Sequence, residues 1–178
     1  MTIISMSPLV LSMGDPAGCG PLITCEAWKA LRGAENVRPF CVLAPPELYS
    51  KYVPVETIAS LSEATACFSR ALPVLPLDTD LPPVIAGEPV IAAAGAILAS
   101  ISAGVALCQS GEAAGLVTNP INKKLLYEAG FSHPGHTEYL AELCSETGAN
   151  EPIKPVMMLV GGGLRVALAT IHMPLVEA

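Results

Sequence analysis

Two of the three histidines in this 178-residue chain lie in one short stretch, GFSHPGHTEYLAEL (Gly130–Leu143). His133 and His136 are three residues apart, the spacing that puts two ligands on one face of a helix. Pro134 and Gly135 stand between them, and neither favours a helix across the pair. A metal pair therefore loses its geometry. His136 directly precedes a helical run opening at Thr137, the candidate N-cap. There it can donate to a substrate oxygen while Thr137 supplies a hydroxyl. His133 reads as a surface residue. His172, in TIHMPL (Thr170–Leu175), follows the apolar run LRVALA, a position suited to a ligand or a base. One histidine does not make a metal site.

Two loops could act on a ligand beside these histidines. In GDPAGCGP (Gly14–Pro21), three glycines permit tight turns and close approach to the backbone, with Gly14 and Asp15 at its start as candidate cofactor contacts. The helix after it offers free N–H groups and a positive dipole end. The loop is neither a GxGxxG fingerprint nor a P-loop, and an ordinary strand-to-helix turn accounts for the same residues. In TNPINKK (Thr118–Lys124), Asn119 and Asn122 can donate and accept, and Lys123 or Lys124 can pair with an anion. A capped helix start with solvated lysines explains that loop equally well.

Strands and helices must place these loops. PLVLSMG (8–14), FCVLA (40–44), PVLPL (73–77) and AGLVTN (114–119) read as strands. Residues 20–33 read as a helix with Leu22, Ile23, Ala27, Trp28 and Leu31 at helical spacing, Pro21 in its first turn and Gly33 past its end. PPELYSKYV is a short helix, INKKLLYEAG (121–130) a helix ended by Gly130, and TEYLAELCSE (137–146) another. PVMMLV and LRVALAT flank GGG (161–163) as a hairpin. Residues 54–88 are otherwise Pro-rich and give no clear pattern. Pro89–Gly111 carries no charge and nearly reaches bilayer length. Its Ala, Ser and Gly give little transfer energy, and Ile97, Leu98, Ile101 and Val105 share one helical face. A helix buried against a sheet is expected rather than a membrane span. Alternating strands and helices point to an α/β fold, layered α/β/α with a largely parallel sheet. A composition change near Gly130 divides the chain into a first α/β domain, residues 1–130, and the beginning of a second, residues 131–178.

The formal net charge of -7 argues against nucleic acid or an anionic membrane as the main partner, and leaves room for a small anion at a local site. The composition, 52% hydrophobic but only 4% aromatic, is that of a folded α/β protein rather than a disordered one. None of the six cysteines forms a CxxC pair, which leaves out a zinc knuckle or thioredoxin motif. The N-terminus has neither a basic start nor a clear cleavage site. Reduced thiols in a cytoplasm are the expectation.

Taken in order, GDPAGCGP, TNPINKKLLYEAGFSHPGHTEYLAEL and LRVALATIHMPL resemble the first half of the 4-hydroxythreonine-4-phosphate dehydrogenase family, over nearly the whole chain. Where that family usually has Glu after the Gly-Pro of the first loop, this chain has Leu22, and where it often has Ile it has Cys19. The resemblance implies a fold like isocitrate and isopropylmalate dehydrogenases, with the active site in a cleft between two domains. It implies a homodimer with shared active sites, the second domain carrying dimerisation and metal-binding functions. It implies NAD (or NADP) and a divalent metal, Zn, Mg or Co. A small phosphorylated substrate would be oxidised to a β-keto acid that decarboxylates, a step in pyridoxal phosphate (vitamin B6) biosynthesis. On the matching positions, His136 and Thr137 would bind substrate and His172 would be one of three metal histidines. Lys123, in the PINK block, would act electrostatically near the reaction. The rest of the metal, phosphate and NAD residues are expected beyond Ala178. The chain then reads as a truncated N-terminal half, inactive alone. The rival readings are a sister dehydrogenase acting on a phosphorylated four-carbon sugar acid or a cis-dihydrodiol acid, a phosphate acyltransferase-like protein, and an inactive fragment.

Overall fold

The computed structural model describes residues 7–145, 153–170, 174 and 176. The chain divides into two compact units, Met1–Ser132 and His133–Ala178.

In the first unit, the described residues form a five-stranded parallel sheet from β1 (Leu9–Ser12), β2 (Phe40–Leu43), β3 (Val55–Thr57), β4 (Leu72–Leu75) and β5 (Leu116–Val117), in the order β3-β4-β2-β1-β5. Its helices are α1 (Gly20–Leu31), α2 (Glu47–Ser50), α3 (Ala64–Cys67), α4 (Ala94–Gln109) and α5 (Lys123–Glu128). Alternate strand residues enter two apolar clusters. Leu11, Phe40, Val42, Leu72 and Val74 pack with Cys25 and Trp28 of α1 and Tyr49 of α2. Val10, Cys41 and Leu43 pack with Ile58, Leu61 and Cys67. Side chains alternate between the faces of a strand, so the sheet is covered on both. This is the expected α/β layering with a parallel centre.

Pro73 sits inside β4, where a proline would break a ladder. The β2–β4 register starts only at Val42–Val74, one residue beyond it. β3 and α3 fall in the Pro-rich region that gave no clear pattern. Their one local signal is Ser60-x-x-Glu63, which forms a capping box: the Ser60 N–H donates to Glu63 Oε1 at 3.1 Å.

The uncharged segment is α4 preceded by a short 3-10 turn, Ile91–Ala93. By length and composition Ile91–Gln109 could cross a membrane. In this fold Ile97, Ser100, Ile101, Gly104 and Val105 are buried. Ser100 Oγ accepts from the Met13 N–H at 2.8 Å and donates to the Leu43 carbonyl at 2.7 Å, which ties the helix to the ends of β1 and β2.

One helical face differs from expectation. Leu22 and Ile23 are about half exposed, at 51% and 49%, while Pro21, Thr24, Cys25 and Trp28 are buried. Polar tethers select that face. The Thr24 hydroxyl accepts from Asn119, and the Trp28 indole N–H donates to the Phe68 carbonyl at 2.8 Å.

The second unit holds α6 (His136–Ser145) and an antiparallel hairpin of β6 (Met158–Gly161) and β7 (Leu164–Ala167). The two-residue turn Gly162–Gly163 has φ of +55° and +80°, the left-handed conformation such hairpins require. α6 begins one residue earlier than expected. Its first turn closes on Gly135, whose carbonyl accepts from the Tyr139 N–H at 3.3 Å, so Thr137 lies inside the helix rather than capping it.

Candidate functional site

The loops after β1 and β5 meet at the carboxyl edge of the sheet. β1 lies between β2 and β5, so the chain order reverses there, the usual place for a ligand in an open α/β sheet. Gly14 adopts φ +68°. A Cβ there would fall 2.7 Å from both the Asn119 Cβ and the Pro120 carbonyl oxygen, so only glycine fits. The Asp15 N–H donates to that same carbonyl at 2.9 Å. The Asp15 side chain is buried, and its Oδ1 accepts from the Ala17 N–H at 3.0 Å. Gly14 and Asp15 thus weld the two loops together.

Asn119 is the centre of the weld, and its extent was not visible in the sequence. It is only 7% exposed. Its Nδ2 donates to the Ser12 carbonyl at 2.8 Å and to Thr24 Oγ1 at 2.9 Å. Its backbone N–H donates to Ser12 Oγ at 3.1 Å. The signal that could have found it was an asparagine at a strand end facing a Ser and a Thr next to a glycine loop.

Asn122 caps α5, its Oδ1 accepting from the Leu125 N–H at 3.2 Å. Lys123 is the first residue of that helix and is exposed. Lys124 is exposed too, 3.9 Å from Glu128. The capped helix start expected for this loop is present, and it presents Lys123 to solvent close in sequence to the weld.

Beside the glycine loop is a concavity of about 120 Å³, lined by Gly18, Cys19, Leu22, Leu48, Tyr52 and Val84. Sites for drug-sized ligands and cofactors run to roughly 300–1,000 Å³. A second concavity, of about 400 Å³, adjoins it and shares Leu48, Lys51 and Val84.

In the second unit, His136 and Thr137 form the first turn of α6. Thr137 lines an apolar groove of about 340 Å³ with Leu140, Ala141, Cys144, Ile153 and Val156. His133, expected on the surface, is only 18% exposed in its side chain. Its Nε2 is 3.3 Å from Glu142 Oε2, and its ring lies against Tyr139. His172 lies outside the described residues. Among the described residues no three His, Cys, Asp or Glu side chains gather as a metal would require.

Known proteins resemble this chain over most of its length. The family model "Pyridoxal phosphate biosynthetic protein PdxA" matches residues 35–178. A 4-hydroxythreonine-4-phosphate dehydrogenase of Maricaulis maris (strain MCS10) is 42% identical over 180 residues, covering 97% of this chain and 53% of that protein. One of Methylorubrum populi (strain ATCC BAA-705 / NCIMB 13946 / BJ001) is 45% identical over 176 residues, covering 94% of this chain and 50% of that protein. The crystal structure of a 4-hydroxythreonine-4-phosphate dehydrogenase from Burkholderia phymatum superposes with a TM-score of 0.77 at 27% identity, covering 97% of this chain and 52% of that one. The chain thus spans about half the length of the curated relatives it matches. With most of its residues under one family model and its parallel sheet matched in a solved relative, the chain belongs to the PdxA family of pyridoxal phosphate biosynthetic proteins.

Proposed function

We propose that the protein serves in the NAD-dependent oxidation of 4-hydroxythreonine 4-phosphate, in pyridoxal phosphate biosynthesis in the cytoplasm. The observation behind this reading is the identity of 42–45% to dehydrogenases of that name across nearly the whole chain. Their names favour it over a sister dehydrogenase or an acyltransferase.

In this reading His136 and Thr137, at the half-buried start of α6, orient the substrate through an imidazole N–H and a hydroxyl. Orientation matters because hydride transfer demands close alignment. Lys123 offers a positive charge toward the phosphorylated substrate. Gly14 and Asp15, the candidate contacts to NAD or NADP, are buried, so in this reading they shape the loop whose exposed Gly18 and Cys19 meet the cofactor. The bound nicotinamide supplies the hydride acceptor, and the β-keto acid product loses carbon dioxide to give 3-amino-2-oxopropyl phosphate. A divalent metal, Zn, Mg or Co, belongs to the reading through His172. The described residues do not assemble a set that would hold it. The working form is a homodimer with shared sites.

The test is NADH formation from 4-hydroxythreonine 4-phosphate, NAD and a divalent metal. It is run on this chain and on a chimaera completed with the C-terminal half of the Maricaulis maris relative. NADH from the chimaera is the expected result. A folded, NAD-binding chimaera that forms none would overturn the reading.

A further inference from the structure

Gly14, Asp15 and Lys123 enter the proposed reaction, but another side chain holds their loops in register. We propose that Asn119 is the positioning residue of this edge. It sets the glycine loop against the start of α5 through three fixed bonds, and so acts on the reaction through Gly14, Asp15 and Lys123. The proposal rests on the functional reading above for its consequence, and on geometry alone for the coupling.

β5 is the weak point of this edge. Leu116 and Val117 pair with β1, and the further bonds from the Val10 N–H to Gly115 and from the Ala114 N–H to Pro8 lie before them, so the described ladder stops at Val117 and does not fix the segment after it. The chain then leaves the sheet as Thr118-Asn119-Pro120, and Pro120 has no N–H with which to rejoin it. Asn119 supplies the missing order. Both its amide hydrogens are used, on Ser12 at the end of β1 and on Thr24 in α1, while its backbone N–H takes the Ser12 hydroxyl. Ser12, Thr24 and Asn119 are all buried, so an amide that lost either acceptor would leave a donor unsatisfied away from water.

The weld has consequences on both sides of it. The Asn119 Cβ stands 2.7 Å from where a Gly14 side chain would begin, so moving Asn119 moves the glycine turn. The Asp15 N–H bond to Pro120 carries the same coupling one residue on. On the other side Asn122, three residues after Asn119, caps α5 and leaves Lys123 as its first residue. A carboxamide suits this role better than a carboxylate. The Ser12 carbonyl can only accept, so aspartate would set a negative oxygen against it, although the Thr24 hydroxyl could turn to donate.

Amide hydrogen exchange on the 178-residue chain tests the coupling. Asn119→Ala and Thr24→Val each remove a bond, and Thr24→Ser keeps it. In both disrupting variants the Asp15 amide is expected to exchange faster by about tenfold, the scale of one net hydrogen bond. Val42 and Val74 in the central strands should keep their parental rates, and Thr24→Ser should restore Asp15. Should Asn119→Ala not fold, the Thr24 pair decides alone. An unchanged Asp15 rate, or acceleration spread evenly through the sheet, would overturn the proposal.

The second arm measures turnover in the completed chimaera. A fall of about tenfold in kcat with Thr24→Val and its return with Thr24→Ser would support a role in the reaction, again on the scale of one bond. Full turnover with a loosened Asp15 would overturn that role. If the unaltered chimaera forms no NADH, the functional reading fails, and the exchange result still decides whether Asn119 couples the loops.

Discussion

Tyr49 is fully buried in the cluster that α1 and α2 form with the sheet, yet its hydroxyl meets no hydrogen-bond partner among the described residues. Burial, and secondarily the nearby Cys25 thiol, push its phenol well above the usual range, so it remains protonated at any ordinary pH. A buried hydroxyl without a partner is a cost, of about 1–3 kcal/mol where the group is fully desolvated. Tyr49→Phe keeps the ring and its packing. It is expected to raise stability by about 1 kcal/mol, read from the urea midpoint at unchanged slope. A loss of the same size would mean that the hydroxyl has a partner in solution. Asn119 presents the opposite case, a buried polar group with its donors matched, and its replacement should cost rather than gain.

Among the elements, α4 is tied to the ends of β1 and β2 through the side chain of Ser100. It has no charged residue, and its buried face is built largely from small groups. Gly104 lies so close to β5 that a Cβ would come within 2.6 Å of Leu116 Cδ1. Such a smooth helix could slide along the sheet. Ser100 prevents this by bonding to the Met13 N–H and the Leu43 carbonyl at once. Ser100→Ala raises intrinsic helix propensity by at most about 0.5 kcal/mol. It strands the Met13 N–H and the Leu43 carbonyl in the core, a loss of about 2 kcal/mol. The net expectation is a destabilised protein, seen as a lower urea midpoint. Equal or higher stability would show that apolar packing alone sets the register of this helix.

For the molecule as a whole, the cysteines differ widely in environment. Cys19 is exposed at the start of α1, while Cys25, Cys41 and Cys67 are buried. Burial raises the Cys25 thiol from 9.0 to about 11 and the Cys41 thiol from 9.0 to about 12. Alkylation at neutral pH is therefore expected at Cys19 first, and at the buried three only on unfolding. Mass spectrometry of timed iodoacetamide reactions reads this directly, and early labelling of Cys41 would contradict the packing. The same shifts set an alkaline limit. A thiol whose folded pKa lies above its unfolded value favours the fold fully while both states keep the proton. That contribution is lost as pH rises from the unshifted thiol value of 9.0 through about 11 and about 12. Stability should decline over that window, and denaturation curves at stepped pH measure it.

Legibility depended on how far each signal reaches along the chain. β1, β2 and the hairpin were readable because apolar runs, turn glycines and strand alternation are properties of a few adjacent residues. The start of α5 was placed two residues early, at Ile121, although its cap Asn122 bonds only three residues away. The helical face of α1 was misread, since Leu22 and Ile23 are no less apolar than Cys25 and Trp28. Its orientation is chosen by Asn119 and Phe68, 95 and 40 residues distant in sequence. The motif blocks, being local strings, marked the family without any fold. Amino-acid order alone is therefore enough for the α/β class, for the presence of most helices and the hairpin turn, and for the residues available for chemistry. It does not say which of those residues are welded inward, as Gly14, Asp15 and Asn119 are, and which face solvent, as Lys123 does. That choice waits for the folded sheet. Hydrogen bonds between distant strand ends, and the exclusion of a side chain at Gly14, exist only once the sheet has brought those ends together.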